Sequence, residues 1–125
     1  MLRTAARAFA REVRKYDPYR IIVSGNAAPQ TSAWHQRVDG SWSQDTREQY
    51  AEMLRKSNPD PLDMISTHEY NLEKKRFQQQ VSFKEFLHAT LNIARRTDKP
   101  LSLGEFGTSK KDGHKTAKKK NFTGC

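Results

Sequence analysis

The 125-residue chain has room for one compact domain or a part of one. With 34% apolar and 30% charged residues its core is thin for its length. It has no apolar run of the roughly eighteen residues that a membrane span needs, and residues 1–7 lack the apolar stretch of a secretion signal. Location is therefore left open, and no membrane partner is expected. The single cysteine, Cys125, excludes an internal disulfide. Of the net charge of +9, +5 falls between Thr108 and Cys125, where six lysines face Asp112 alone. A solvated, disordered basic tail over 108–125 is expected, and nucleic acid is not an expected partner.

In chain order, Leu2, Ala6, Phe9, Val13 and Tyr16 recur at helical spacing, which predicts an amphipathic helix over 2–16 stopped by Asp17-Pro18. The β-branched run Arg20-Ile21-Ile22-Val23-Ser24 predicts a strand buried on both faces and closed by Gly25-Asn26. A polar loop over 27–43 carries Trp34, His35 and Trp42. A second helix over 44–56 turns Tyr50, Met53 and Leu54 inward and stops at Asn58-Pro59-Asp60-Pro61. A strand over 64–67 leads into His68-Glu69-Tyr70 and a charged loop. A third helix over 81–96, with Ser82 as its cap, places Phe83, Phe86, Leu87, Leu91 and Ala94 at helical spacing. Leu101-Ser102-Leu103 then predicts the last strand. Helix and strand alternate throughout, so an α/β fold with about three parallel strands and crossover helices is expected.

Chemistry in such folds collects where strands end. These ends hold Ser24-Gly25-Asn26, His68-Glu69-Tyr70 and Gly104-Glu105-Phe106-Gly107. Glu105 directly follows an apolar strand between two glycines and would project from a rigid scaffold. A carboxylate that stays ionised needs hydrogen-bond donors, and Tyr70 is a candidate, with His68 on the same side by strand alternation. Glu69 falls on the opposite side. Asn26 either caps its turn or faces the cleft, and Trp34 either stacks on a sugar ring or anchors its loop. No Gly-x-Gly-x-x-Gly follows a strand, and no histidines or carboxylates fall at ligand spacing on one element. Neither a dinucleotide, another cofactor nor a metal is expected.

The pattern Asp17-Pro18-Tyr19-Arg20-Ile21-Ile22-Val23-Ser24-Gly25-Asn26, then Asn58-Pro59-Asp60-Pro61 before Ile65-Ser66-Thr67-His68-Glu69-Tyr70, then Lys99-Pro100-Leu101-Ser102-Leu103-Gly104-Glu105-Phe106-Gly107, resembles glycoside hydrolase family 5, the cellulase family. The resemblance implies that residues 1–107 are a late portion of a (β/α)8 barrel, strands five to seven, from a retaining hydrolase of β-linked oligo- or polysaccharides of the endo-β-1,4-glucanase class. It implies Glu105 as nucleophile, and His68 and Tyr70 lining the sugar subsite with Tyr70 bonded to Glu105. The family's acid/base glutamate and its other strands have no counterpart here. The isolated chain is thus expected to be inactive and to associate through open sheet edges. A non-catalytic remnant that binds carbohydrate or a partner is the alternative.

Overall fold

A computed structural model of the chain describes residues 2–71 and 74–108. Helix α1 spans Leu2–Tyr16, α2 Ala33–Val38 and α3 Arg47–Ser57. Strand β1 (Ile65–Asn71), the short strands β2 (Lys74–Arg76) and β3 (Gln79–Val81), helix α4 (Phe83–Arg96) and strand β4 (Leu101–Thr108) follow. Strands β1 and β4 pair in parallel, and β2 and β3 form a separate antiparallel hairpin. The expected α/β architecture with a parallel sheet and a crossover helix is present, consistent with part of a (β/α) barrel. Beyond Thr108, the basic tail lies outside the described residues.

Local chemistry explains the helix boundaries. The Thr46 hydroxyl accepts from the Gln49 N–H while the Gln49 side chain accepts from the Thr46 N–H, a reciprocal pair that satisfies two donors at the start of α3. Ser82 and Glu85 do the same for α4, with Ser82 in the capping role that its position predicts. Tyr50 and Leu54 of α3, Phe86, Ile93 and Ala94 of α4, Ile65 of β1 and Val81 of β3 then bury together as the main core. A smaller core joins Ala10 of α1 to Ile22 and Leu62, with Ala6 and Val13 against it. The inward stripe of α1 thus runs through its small residues. Phe9 and Tyr16, expected on that face, are 64% and 81% exposed.

Two further expectations need correction. The charged loop after Tyr70 contains the β2–β3 hairpin, whose two turn residues, Phe77 (φ 55°) and Gln78 (φ 63°), are both left-handed. Each costs about 1 kcal/mol in such a conformation, and neither is the Asn or Gly that announces this turn in a sequence. Aromatic packing offsets the strain, because the Phe77 ring lies 5.5 Å from that of Tyr50 and 6.0 Å from that of Phe86.

The run Arg20–Ser24, expected as a third parallel strand, joins no sheet among the described residues. Its ladder partners are taken by side chains. The Ile22 N–H donates to the Asp63 carboxylate at 2.7 Å, and the Ile22 carbonyl accepts from the Asp63 N–H at 3.0 Å. On the free edge of β1 the carboxamide of Asn58 stands where a neighbouring strand would. Its Oδ1 accepts from the Ser66 N–H (3.0 Å) and its Nδ2 donates to the Ser66 carbonyl (3.3 Å). The same carboxamide accepts from the Ser24 hydroxyl at 2.8 Å and donates to the Leu54 carbonyl at 3.0 Å. One buried side chain therefore ties the end of α3, strand β1 and the Arg20–Ser24 segment together.

Removing it strands polar groups in a dry place, which is costlier than the loss of the bonds themselves. Asn58→Ala is expected to destabilise the chain by about 2–4 kcal/mol in urea unfolding, whereas Ser24→Ala costs no more than about 1 kcal/mol. Equal costs for the two variants would contradict the bridging role.

Candidate active site

Strand pairing builds the site. Ile65, Ser66 and Thr67 face Leu101, Ser102 and Leu103 in order, and then the register slips so that His68 faces Glu105. Gly104 is the extra residue of a β-bulge in β4. Without it Gly104 would stand beside His68, and Glu105 would stand beside Glu69, on the other face. Glycine leaves room for the imidazole, because a Cβ at position 104 would lie 2.7 Å from His68 Nε2 and 2.9 Å from His68 Cδ2. The imidazole thus rests on the bare backbone of the bulge.

The result is a convergence of three side chains. The Tyr70 hydroxyl donates to Glu105 Oε2 at 2.5 Å, and His68 Nδ1 stands 3.6 Å from the same oxygen. His68 is mostly covered, while the Glu105 side chain keeps 56% of its surface open. The hydrogen bond to Glu105, and then its negative charge, push the Tyr70 phenol above the usual tyrosine range. Tyr70 therefore keeps its proton, and so remains a donor, throughout the neutral range. An exposed carboxylate oriented by a phenol in this way can act as a nucleophile or as a base.

Around the three lies a cleft of about 630 Å³, whose other walls come from Ala28 and Thr31 of the long loop, Arg76 of the hairpin, and Phe83 and Phe86 of α4. Glu69 also borders it, but its side chain is buried and accepts from the Thr67 hydroxyl at 3.2 Å. Asn26 and Trp34 do not line this cleft. The Asn26 amide donates to the Ser57 carbonyl (3.0 Å), and the Trp34 indole N–H donates to Glu52 (2.9 Å) with its ring edge-on to His35. Asp45, buried at the start of α2, accepts from the backbone N–H groups of Trp34 and His35 and so fixes that loop. Arg76 was not legible as a cleft residue, since nothing in a short charged stretch signals a hairpin. Among the described residues no group of three or more histidine, cysteine or carboxylate side chains is arranged to hold a metal ion.

Residues 1–123 match the family model for Cellulase (glycosyl hydrolase family 5). No curated protein matches the chain.

Two outcomes follow from the geometry. Gly104→Ala is expected to swing the His68 imidazole off the bulge, because the side chain yields more readily than the strand. His68 ring resonances should then shift while the far-ultraviolet spectrum stays native. Unchanged His68 resonances would count against the contact. In Glu105→Gln the hydrogen bond to a carboxylate that raises the Tyr70 phenol, and with it the negative charge, is lost, so its titration, followed by tyrosine ring carbon shifts, is expected to move down toward the ordinary tyrosine value; an unmoved titration contradicts the pairing.

Proposed function

The chain belongs to glycosyl hydrolase family 5, a family of glycoside hydrolases acting on β-glycans, and we propose that Glu105 is its carboxylate nucleophile. The observation that carries this is the Tyr70 hydroxyl bonded to Glu105 Oε2 with His68 beside it, at the end of a rigid parallel strand pair. In the reaction Glu105 attacks the anomeric carbon as the bond to the leaving oxygen breaks, giving a glycosyl ester that water then hydrolyses with net retention. Tyr70 orients the carboxylate through its hydrogen bond to Oε2. His68 faces the sugar and donates to a hydroxyl of the ring being attacked. The substrate class is a β-1,4-linked glucan, in keeping with the resemblance of the strand ends to cellulases.

Retention requires a second carboxyl group about 5–5.5 Å from the first, as acid and then base. Glu69 is the one other carboxylate bordering the cleft among the described residues, and it is turned to Thr67. We assign it no catalytic part. The chain carries the nucleophilic half of the pair, and turnover of unactivated cellulose by the chain alone is expected to be negligible. Trp34 and Asn26 do not line the cleft and bond to Glu52 and Ser57 of α3, so sugar contact is assigned to His68 and Tyr70.

The test separates the nucleophile from the missing acid. A 2,4-dinitrophenyl 2-deoxy-2-fluoro-β-cellobioside loses its leaving group without protonation, so trapping depends on the nucleophile and its surroundings. One glycosyl adduct on the peptide containing Glu105 is expected, absent in Glu105→Gln and formed about tenfold to a hundredfold more slowly in Tyr70→Phe. An adduct on another carboxylate, or none on the folded chain, overturns the assignment.

A further inference from the structure

The β2–β3 hairpin holds a residue for which the proposed chemistry has not accounted. We propose that Arg76 is a sugar-binding residue of the cleft, its guanidinium spanning two adjacent hydroxyls of a neutral β-glycan; this rests on the glycosidase reading of the same site.

Arg76 borders the cleft with His68, Tyr70 and Glu105. Its side chain is held in place before any ligand arrives. The guanidinium carbon lies 4.5 Å from the centre of the Phe86 ring and 5.7 Å from that of Tyr50, and Nη1 donates to the Pro29 carbonyl at 2.7 Å. A guanidinium fixed on aromatic faces and one carbonyl loses little freedom on binding, which is what makes an arginine fork an effective recognition group. No carboxylate among the described residues forms an ion pair with it, so N–H groups beyond the one given to Pro29 remain for a ligand.

The strain in the adjoining turn points the same way. Phe77 and Gln78 both sit at positive φ, and they are held there by the aromatic cluster, by the Arg47 guanidinium 5.0 Å from the Phe77 ring, and by Gln44, whose side chain accepts from the Gln78 N–H at 2.9 Å. Backbone strain persists where surrounding contacts over-determine it, commonly beside ligands. Here it fixes Arg76, the residue immediately before the turn, at the wall of the cleft.

Charge selects the class of ligand. Glu105 borders the same cleft with more than half of its side chain exposed, and it must be ionised to attack. A sugar acid entering there would meet like charge. The planar fork of Arg76 therefore suits paired hydroxyl oxygens of an uncharged pyranose.

Titration of cellotetraose into the chain, read by the ¹⁵N shift of Arg76 Nε and by calorimetry, tests this. A shift of Arg76 Nε on binding is expected. Arg76→Lys, which keeps the charge and loses the fork, should weaken binding about tenfold, and Arg76→Met should weaken it at least as much. An unmoved Nε signal, unchanged affinity in both variants, or tighter binding of a uronic-acid oligosaccharide than of cellotetraose overturns the proposal. The Nε shift is read on the unaltered chain, so it decides even if the variants fold poorly. If Glu105 is trapped by the fluoro-cellobioside while Arg76 fails these tests, only the role of Arg76 falls; if the chain neither binds cellotetraose nor is trapped, the glycosidase reading falls and takes the role of Arg76 with it.

Discussion

The single extra residue in β4 is the constraint on which the candidate site depends. A parallel pair fixes the faces of facing residues together, and side chains alternate with a period of two. A slip of one residue between Thr67 and His68 therefore moves everything after it to the other face of β4. Because the slip occurs at Gly104, Glu105 lands beside His68 and within reach of Tyr70. The glycine serves twice, as the bulge residue and as the bare surface under the imidazole. Any side chain there would separate the two roles.

The two-stranded sheet is completed by side chains where more strands would otherwise stand. Asn58 presents to Ser66 one acceptor and one donor, the pair that a strand backbone would present, and Asp63 does the same for Ile22 with its carboxylate and its own N–H. Asp63 is held below the usual carboxylate range, first by the Ile22 N–H and further by the Arg14 guanidinium, so it serves as a charged acceptor across the neutral range. Asn58 links the end of α3 and strand β1, at the main core, to Ser24, and Asp63 links Ile22 of the small core to Arg14 of α1. That is how a chain with a thin apolar fraction holds its helices in register.

Much of this was legible because it rests on local chemistry. Caps such as Ser82, the proline stops, and the strands leading to Tyr70 and Glu105 are written in spacings of two, three and four residues. The family resemblance of the strand ends belongs to the same class of signal. What escaped the sequence depends on contacts distant along the chain. Arg20–Ser24 has the composition of a buried strand, yet the hydrogen bonds of Ile22 go to Asp63, 41 residues further on. The hairpin turn uses Phe77 and Gln78, residues that disfavour left-handed backbone, and only the Tyr50 and Phe86 rings make it tenable. In α1 the expected stripe is met at Ala6 and Val13 but turned toward Ala10 and away from Phe9 and Tyr16, because Ile22 and Leu62 approach that smaller face. Asn26 and Trp34 carried two readings each from sequence, and the partners they take in the structure, Ser57 and Glu52 of α3, lie more than fifteen residues further along the chain.

The arrangement around Glu105 also distinguishes its two oxygens. Tyr70 and His68 both approach Oε2, whereas no hydrogen bond to Oε1 exists among the described residues. A carboxylate held by one oxygen keeps its plane and direction while the other stays open to the cleft. The raised phenol makes this hold durable, since Tyr70 keeps its proton across the neutral range. In the proposed reaction Oε1 is therefore the attacking atom and Oε2 the tether. As the ester forms, Oε1 becomes its bridging oxygen and Oε2 its carbonyl oxygen, which can still accept from the Tyr70 hydroxyl, so that bond need not break for the reaction to proceed.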